Sequence, residues 1–129
     1  MPVLLRIEPN KIDFESCEIG QKKEITTVVH NDSELKSIRF NFPKVANYVV
    51  QPASGRIGPK SNKNVIVSFV PHQLGSFKNI LNCEVIDKMI DHQNPLVVFD
   101  QAITQFPIKL LGSGTAITSN AVPKYSGGE

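Results

Sequence analysis

Three histidines and two cysteines are the natural starting points for chemistry in this chain, and their placement argues against it. His30, His72 and His92 stand far apart, and no cysteine joins them at a metal-ligand spacing. Cys83 falls on the apolar side of an alternating run, where a free cysteine packs as a small hydrophobe. A nucleophile would need an activating base and access to solvent. Cys17 lies near a turn, is expected to be exposed, and is the better candidate for modification. The wide separation of the two cysteines excludes a CxxC motif. They read as free thiols of a reducing compartment, with a single bridge between them as the alternative. Asp87 and Asp91 lack the spaced oxygen ligands of a calcium loop. There is no GxxxxGK[ST], GxGxxG or GxSxG, and the Gly112-Ser113-Gly114 run does not open a helix, so it is no phosphate cradle. No catalytic, metal-binding or cofactor-binding residue is assigned, and the chain is read as a non-enzyme.

The cations are more suggestive. Lys36, Arg39 and Lys44 surround one apolar run, and Arg56, Lys60 and Lys63 flank a central turn. These six are the candidate partner-binding residues. They would suit an acidic protein partner, including acidic tubulin tails, if they cluster in space; otherwise they are a solvated face. Fourteen Lys and Arg against twelve Asp and Glu give a net charge of only +2, too weak a footprint for nucleic acid.

The elements that would position these residues are short and alternating. Runs at Val3 to Glu8, Lys11 to Phe14, Lys22 to Asn31, Ser37 to Phe42, Tyr48 to Gln51, Asn64 to Val70, Ser76 to Ile86 and Phe106 to Leu111 read as strands. β-Branched residues fill the run from Lys22 to Asn31, with Ile25, Thr27 and Val29 on one face. In the run from Ser76, the residues offered to the core are Phe77, Leu81, Cys83 and Val85, and Ile80 breaks the alternation as a bulge would. Gly20, Gly55, Gly75 and Gly112 are expected at turns that need unusual backbone angles. Asp87 to Gln105 reads as a long connection, with Leu96 to Phe99 as a short extra strand or a docked loop. Its apolar residues either offer a contact surface or cover one edge of the fold.

The chain has 129 residues, 40% of them hydrophobic and 20% charged, which suits one soluble domain able to hold a core without disulfides or metal. Met1 to Ile7 is apolar for only about five residues and lacks a basic n-region, so no signal peptide is expected. No run reaches bilayer length, so no membrane insertion is expected.

The stretch beginning at Gln51 reads QPASGRIGPKSNKNVIVSFVP: a strand into a proline, Ser-Gly, an isoleucine, a second proline, a polar stretch, and a strand ending Phe-Val-Pro. It resembles the central part of major-sperm-protein-like (MSP) domains. The opening IEPNKIDFESCEIG, the segment ITTVVHNDSE and the ending IKLLGSG resemble more closely the ASH (ASPM/SPD-2/hydin) domains of hydin-like cilia- and flagella-associated proteins. The likeness covers roughly residues 7 to 114. It implies an all-β, immunoglobulin-like (MSP/PapD-like) seven-stranded Greek-key β-sandwich over residues 1–114, with a long connection before the last strand. Residues 115–129 are then a flexible tail or linker, and the Ser126-Gly127-Gly128-Glu129 end fits a cut through a linker.

The same resemblance implies a function. The domain is expected to be a non-enzymatic scaffold module of a ciliary or flagellar structural protein needed for cilium assembly or motility. It would be a monomer within a larger multidomain chain, located in the cytoplasm, at the axoneme or basal body. Its partners would be axonemal or cytoskeletal proteins, tubulin among them, met through exposed edges, loops or strand addition. The alternative is an adaptor similar to the VAP proteins, binding short acidic aromatic-containing peptides at membrane contact sites. The segment RFNFPKV from Arg39 to Val45 lacks the Lys-Thr pattern that such a groove implies. A periplasmic pilus chaperone is disfavoured by the missing signal peptide and second domain.

Overall fold

The computed structural model describes residues 4–117. Among them there are nine strands and no helix: β1 (Leu5–Glu8), β2 (Lys11–Glu18), β3 (Lys23–Asn31), β4 (Ile38–Asn41), β5 (Tyr48–Gln51), β6 (Ser54–Ile57), β7 (Ser61–Phe69), β8 (Gly75–Ile90) and β9 (Val98–Thr115). They form two sheets, ordered β1-β3-β7-β5 and β2-β9-β8-β4-β6. All ladders are antiparallel except β2–β9, which is parallel. The expected β-sandwich is present, with nine strands in place of seven.

The sheets are tied together where the chain changes allegiance at Pro9 and Asn10. Upstream, β1 pairs with β3; downstream, β2 pairs with β9. Two hydrogen bonds fix the crossing. The buried Thr27 hydroxyl donates to the Pro9 carbonyl at 2.7 Å, and the Lys109 N–H donates to the Asn10 carbonyl at 2.9 Å. A hydroxyl sealed from water needs such an acceptor, so Thr27 holds the crossing as well as filling its place in β3.

The core follows the period-two pattern. Val29 of β3, Val65, Val67 and Phe69 of β7, Leu81, Cys83 and Val85 of β8, and Ile108 and Leu110 of β9 are buried between the sheets. Phe77 and Ile25 pack partly buried against them. Phe69 is the hub of an aromatic cluster, with centroids 5.2 Å from Tyr48, 5.5 Å from Phe14 and 5.4 Å from Phe77. Stacked, tilted and edge-on rings at this spacing each add about 0.5–1.5 kcal/mol beyond area burial.

Several local expectations need correction. The Gly112-Ser113-Gly114 run is not a turn, because β9 continues to Thr115 and pairs with β2 through it. Gly112 is glycine for room: a Cβ there would lie 2.6 Å from the Phe69 ring. Gly55 likewise keeps an ordinary backbone beneath Phe40, and of the four glycines expected at turns Gly20 and Gly75 alone have positive φ. Ile80 causes no bulge; it stays in register opposite Lys109, half-exposed on the outer face. The irregularity lies further on, where Val85 pairs with Thr104 and Ile86 with Ala102, leaving Ile103 as the extra residue.

Cys17 is buried at 7% exposure, not exposed. The ladder slips between Asp13 and Ser16 around Glu15, whose φ is 60°. That slip turns Cys17 onto the same face as Ile12 and Phe14. Both cysteines are free.

Asp87 to Gln105 is not a loose connection. Asp87, Lys88, Met89 and Ile90 pair with Gln101, Asp100, Phe99 and Val98, and the chain reverses over residues 91–97. The result is a two-stranded arm running beyond the parts of β8 and β9 that pair with β4 and β2. Residues 118–129 of the expected tail lie outside the described residues.

Candidate partner-binding groove

A buried asparagine sets up the site. Asn31, at the end of β3, donates through Nδ2 to the carbonyls of Lys36 (2.7 Å), Ile57 (3.0 Å) and Gly58 (3.0 Å). Its Oδ1 accepts from the Ser33 N–H at 3.0 Å. The Ser33 hydroxyl accepts from the Lys36 N–H, and the Ser33 carbonyl from the Lys60 N–H. One side chain thus fixes the β3–β4 connection against the end of β6 and places Lys36 at the mouth of β4.

From there, β4 carries Arg39 outward, directly opposite Arg56 of β6. Like charges facing each other across a ladder repel. Asp100, on the arm, answers one of them: Arg39 donates to it in a bidentate fork at 3.0 and 2.9 Å. This contact pushes the Asp100 pKa below the usual carboxylate range and raises that of Arg39. Lys88 approaches the same carboxylate at 3.9 Å. Among the described residues, Arg56 and Lys36 have no ion-pair partner.

These residues surround a groove of about 530 Å³ at the root of the arm. Its apolar lining is Leu4, Ile38, Val85, Ile86 and Ile103, with Ser33 and Ser37 beside them. Its rim is cationic, made by Lys36, Arg39, Arg56 and Lys88, with Asp87 as the single carboxylate. A second depression of about 490 Å³ continues on the far side of Arg39 and Arg56 and reaches Asp100. Apolar and cationic lining together are complementary to an anionic segment that also presents an apolar side chain.

Of the six cations singled out from the sequence, Lys36, Arg39 and Arg56 converge here. Lys44 lies in the β4–β5 connection, Lys60 in the turn before β7, and Lys63 on β7 of the other sheet; none lines the groove. Lys88, Asp100 and Ile103 were missed by the sequence reading. Lys88 and Asp100 carried a signal, since opposite charges at matched distances from a turn mark a hairpin pair.

The titratable candidates sit elsewhere. Burial pushes the Cys83 thiol up to about 12, which removes the thiolate a nucleophile needs. His30 lies 3.6 Å from Glu8 on the outer face of β1 and β3. Among the described residues no group of His, Cys, Asp and Glu could hold a metal ion, and no helix is long and apolar enough to cross a membrane.

Residues 7–114 match the family model of the CFAP74 fourth Ig-like domain. The chain belongs to that family. Among individual proteins, the human cilia- and flagella-associated protein 47 is 38% identical over 87 residues, covering 67% of this chain. This chain spans only about 3% of the length of that relative. Among solved structures, the ASH/PapD-like domain 7 of human CEP192 superposes with a TM-score of 0.67 at 14% identity, covering 89% of this chain and 87% of that one. The C. elegans MSP family member WR4 gives 0.52 at 14% identity, covering 88% of this chain and all of that one. At such identity these two likenesses speak for the fold alone. The fold they share is the MSP/PapD-like sandwich expected from the sequence motifs.

Proposed function

We infer that this Ig-like domain is a non-enzymatic docking module of a ciliary or flagellar structural protein, and that its groove takes an acidic segment of a protein partner. The observation that carries this reading is the convergence of Lys36, Arg39 and Arg56 on one groove with an apolar lining. Family membership and the ciliary name of the 38%-identical relative support the ciliary setting. Arg56 and Lys36 are the cations free to bind, since Arg39 is engaged by Asp100. Axonemal partners, including the acidic tails of tubulin, have the required charge.

The test is titration of the 129-residue chain with a fluorescent tubulin-tail peptide across a salt series. Binding should weaken steeply with salt, because rim charges are screened beyond about 10 Å at 0.1 M. Charge reversal at Lys36 and Arg56 together should abolish it, and reversal at Lys44 and Lys63 should not. Equal binding by both double variants would defeat the groove as the site. Absence of the full-length parent protein from cilia would defeat the ciliary setting. Stronger binding by an acidic peptide that adds an aromatic pair would favour the adaptor reading.

A further inference from the structure

One hydroxyl in the groove is unclaimed. Ser33 and Ser37 both line it. The Ser33 hydroxyl accepts from the Lys36 N–H, but among the described residues the Ser37 hydroxyl has no hydrogen-bond partner. The stretch from Glu34 to Ser37 is exposed and belongs to no strand.

The neighbours of Ser37 are cationic. Lys36 precedes it, and Arg39 stands two residues on, where side chains of an extended chain share a face. Continued two steps beyond the Arg39–Ile86 pair, the β4–β8 register sets Ser37 across from Lys88. Continued one step beyond the Ile38–Ile57 pair, the β4–β6 register sets it across from Gly58 and diagonal to Arg56, a separation that long side chains span. Lys36, Arg39, Arg56 and Lys88 all line the same groove. Against these four cations stand two carboxylates, Asp87 in the groove and Asp100 on Arg39. The excess is two positive charges, and among the described residues Lys36 and Arg56 are the groove cations without an ion-pair partner.

A phosphoserine carries about two negative charges and three strong acceptor oxygens near neutral pH, which match two unpaired cations in both charge and donors. The geometry points to Ser37 as a phosphorylation site, whose phosphate is held by Lys36 and Arg56 and fills the groove from within. The flanking Lys36 and Arg39 suit a protein kinase with an acidic cleft. In the transfer the Ser37 Oγ attacks the γ-phosphorus of a nucleoside triphosphate. The bridging bond to the β-phosphate breaks, the nucleoside diphosphate leaves, and the hydroxyl proton passes to the base of the kinase. Ile38, next in the chain, is buried, so access requires the outermost pair of the four-residue strand β4 to open, and ladder ends open more readily than cores. The consequence for docking rests on the acidic-segment reading: a phosphate at Ser37 takes the two cations that such a segment needs, so modification switches docking off.

The test compares the 129-residue chain carrying genetically encoded phosphoserine at position 37 with the same chain carrying it at position 76, an exposed serine at the other end of β8. Followed by phosphorus NMR, the phosphate at Ser37 should lose its second proton about one pH unit below the phosphate at Ser76, as opposite charges nearby imply. With Lys36→Gln and Arg56→Gln together the difference should vanish, and unchanged amide shifts across β3 and β7 show that this variant is folded. Equal titration at the two positions, or a difference that survives the double variant, overturns the proposal. Protein kinase C with labelled ATP should place label on Ser37 of the unmodified chain; label confined to other residues, or absent, overturns Ser37 as the acceptor. The tubulin-tail peptide separates the two readings. Its binding should fall at least about tenfold with phosphate at Ser37 and stay unchanged with phosphate at Ser76. Equal binding by the two phosphorylated chains overturns the switch. No binding to the unmodified chain defeats the acidic-segment reading instead, and the phosphorus titration still decides where the phosphate sits.

Discussion

Arg39 and Arg56 face each other across the β4–β6 ladder, and Asp100 is the carboxylate that makes the arrangement tolerable. It comes from 61 residues along the chain and arrives on the arm. The ion pair therefore does two things: it cancels one of two opposed cations and it fastens the root of the arm to β4.

Asp100→Asn should loosen the arm more than it unfolds the domain. Hydrogen exchange should accelerate at Met89, Ile90, Val98 and Phe99, with core amides of β7 little changed. The wild type should show the same loosening in acid. The folded pKa of Asp100 is depressed below 3.8, so the contribution is present above that value and is lost as pH falls through the lower folded pKa. Acid loosening equal in wild type and Asp100→Asn would show that another group is responsible.

Asn31→Ala removes three donated bonds and one accepted bond at a buried position. Carbonyls of Ile57 and Gly58 lose a partner, and each unsatisfied buried group costs about 1–3 kcal/mol. A loss of about 3 kcal/mol by urea denaturation is expected. The groove should suffer too, because Lys36 is placed by this side chain. A variant that keeps wild-type stability would mean that water replaces the amide.

Alternation carried the sandwich in this sequence, and breaks in alternation hid the rest. The inward faces of β3, β7 and β8 were legible because Thr27, Val29, Val65, Val67, Leu81, Cys83 and Val85 keep strict period two. The burial of Cys17 is hidden in the sequence because the slip around Glu15 turns a residue three positions after Phe14 to the same side. In the sequence the arm resembles a connection because Ile103 interrupts the pattern and because both of its faces carry apolar residues. For the groove, Lys36, Arg39 and Arg56 were visible as cations. Their convergence depends on the β4–β6 pairing, and β6 was too short and Gly-rich to announce itself as a strand.

Gly112→Ala should reveal how closely β9 passes Phe69. The new Cβ would lie 2.6 Å from Cε2, and overpacking of this kind costs about 1–3 kcal/mol. Phe69→Leu alone should also destabilise, since it vacates the aromatic cluster. Combined, the two should cost less than their sum, because the smaller side chain makes room for the methyl. Strict additivity in a double-mutant cycle would show that the strand moves away instead.

Cys83 should resist alkylation in the folded protein up to about pH 9 and react only on unfolding, because its thiol is pushed up to about 12 by burial. The sign carries over to stability. A raised folded pKa contributes fully below the unfolded value of 9.0 and is lost as pH climbs toward about 12. Cys83→Ala should therefore lessen the alkaline fall in stability while lowering stability at neutral pH through the cavity it leaves. Mass spectrometry of labelled protein and a pH series of melting curves check the two halves.

The parallel pairing of β2 with β9 also determines how the domain answers a pull. Lys11 lies opposite Lys109 and Glu18 opposite Thr115, so the second strand runs alongside the last described strand, in the same direction. Once β1 has peeled from β3, tension between the two ends drags these strands lengthwise past each other. Their hydrogen bonds then carry the load side by side and must rupture together, where a hairpin pulled from its open end would unzip one bond at a time. The parallel ladder is thus also the clamp that makes this domain a stiff link under stretch.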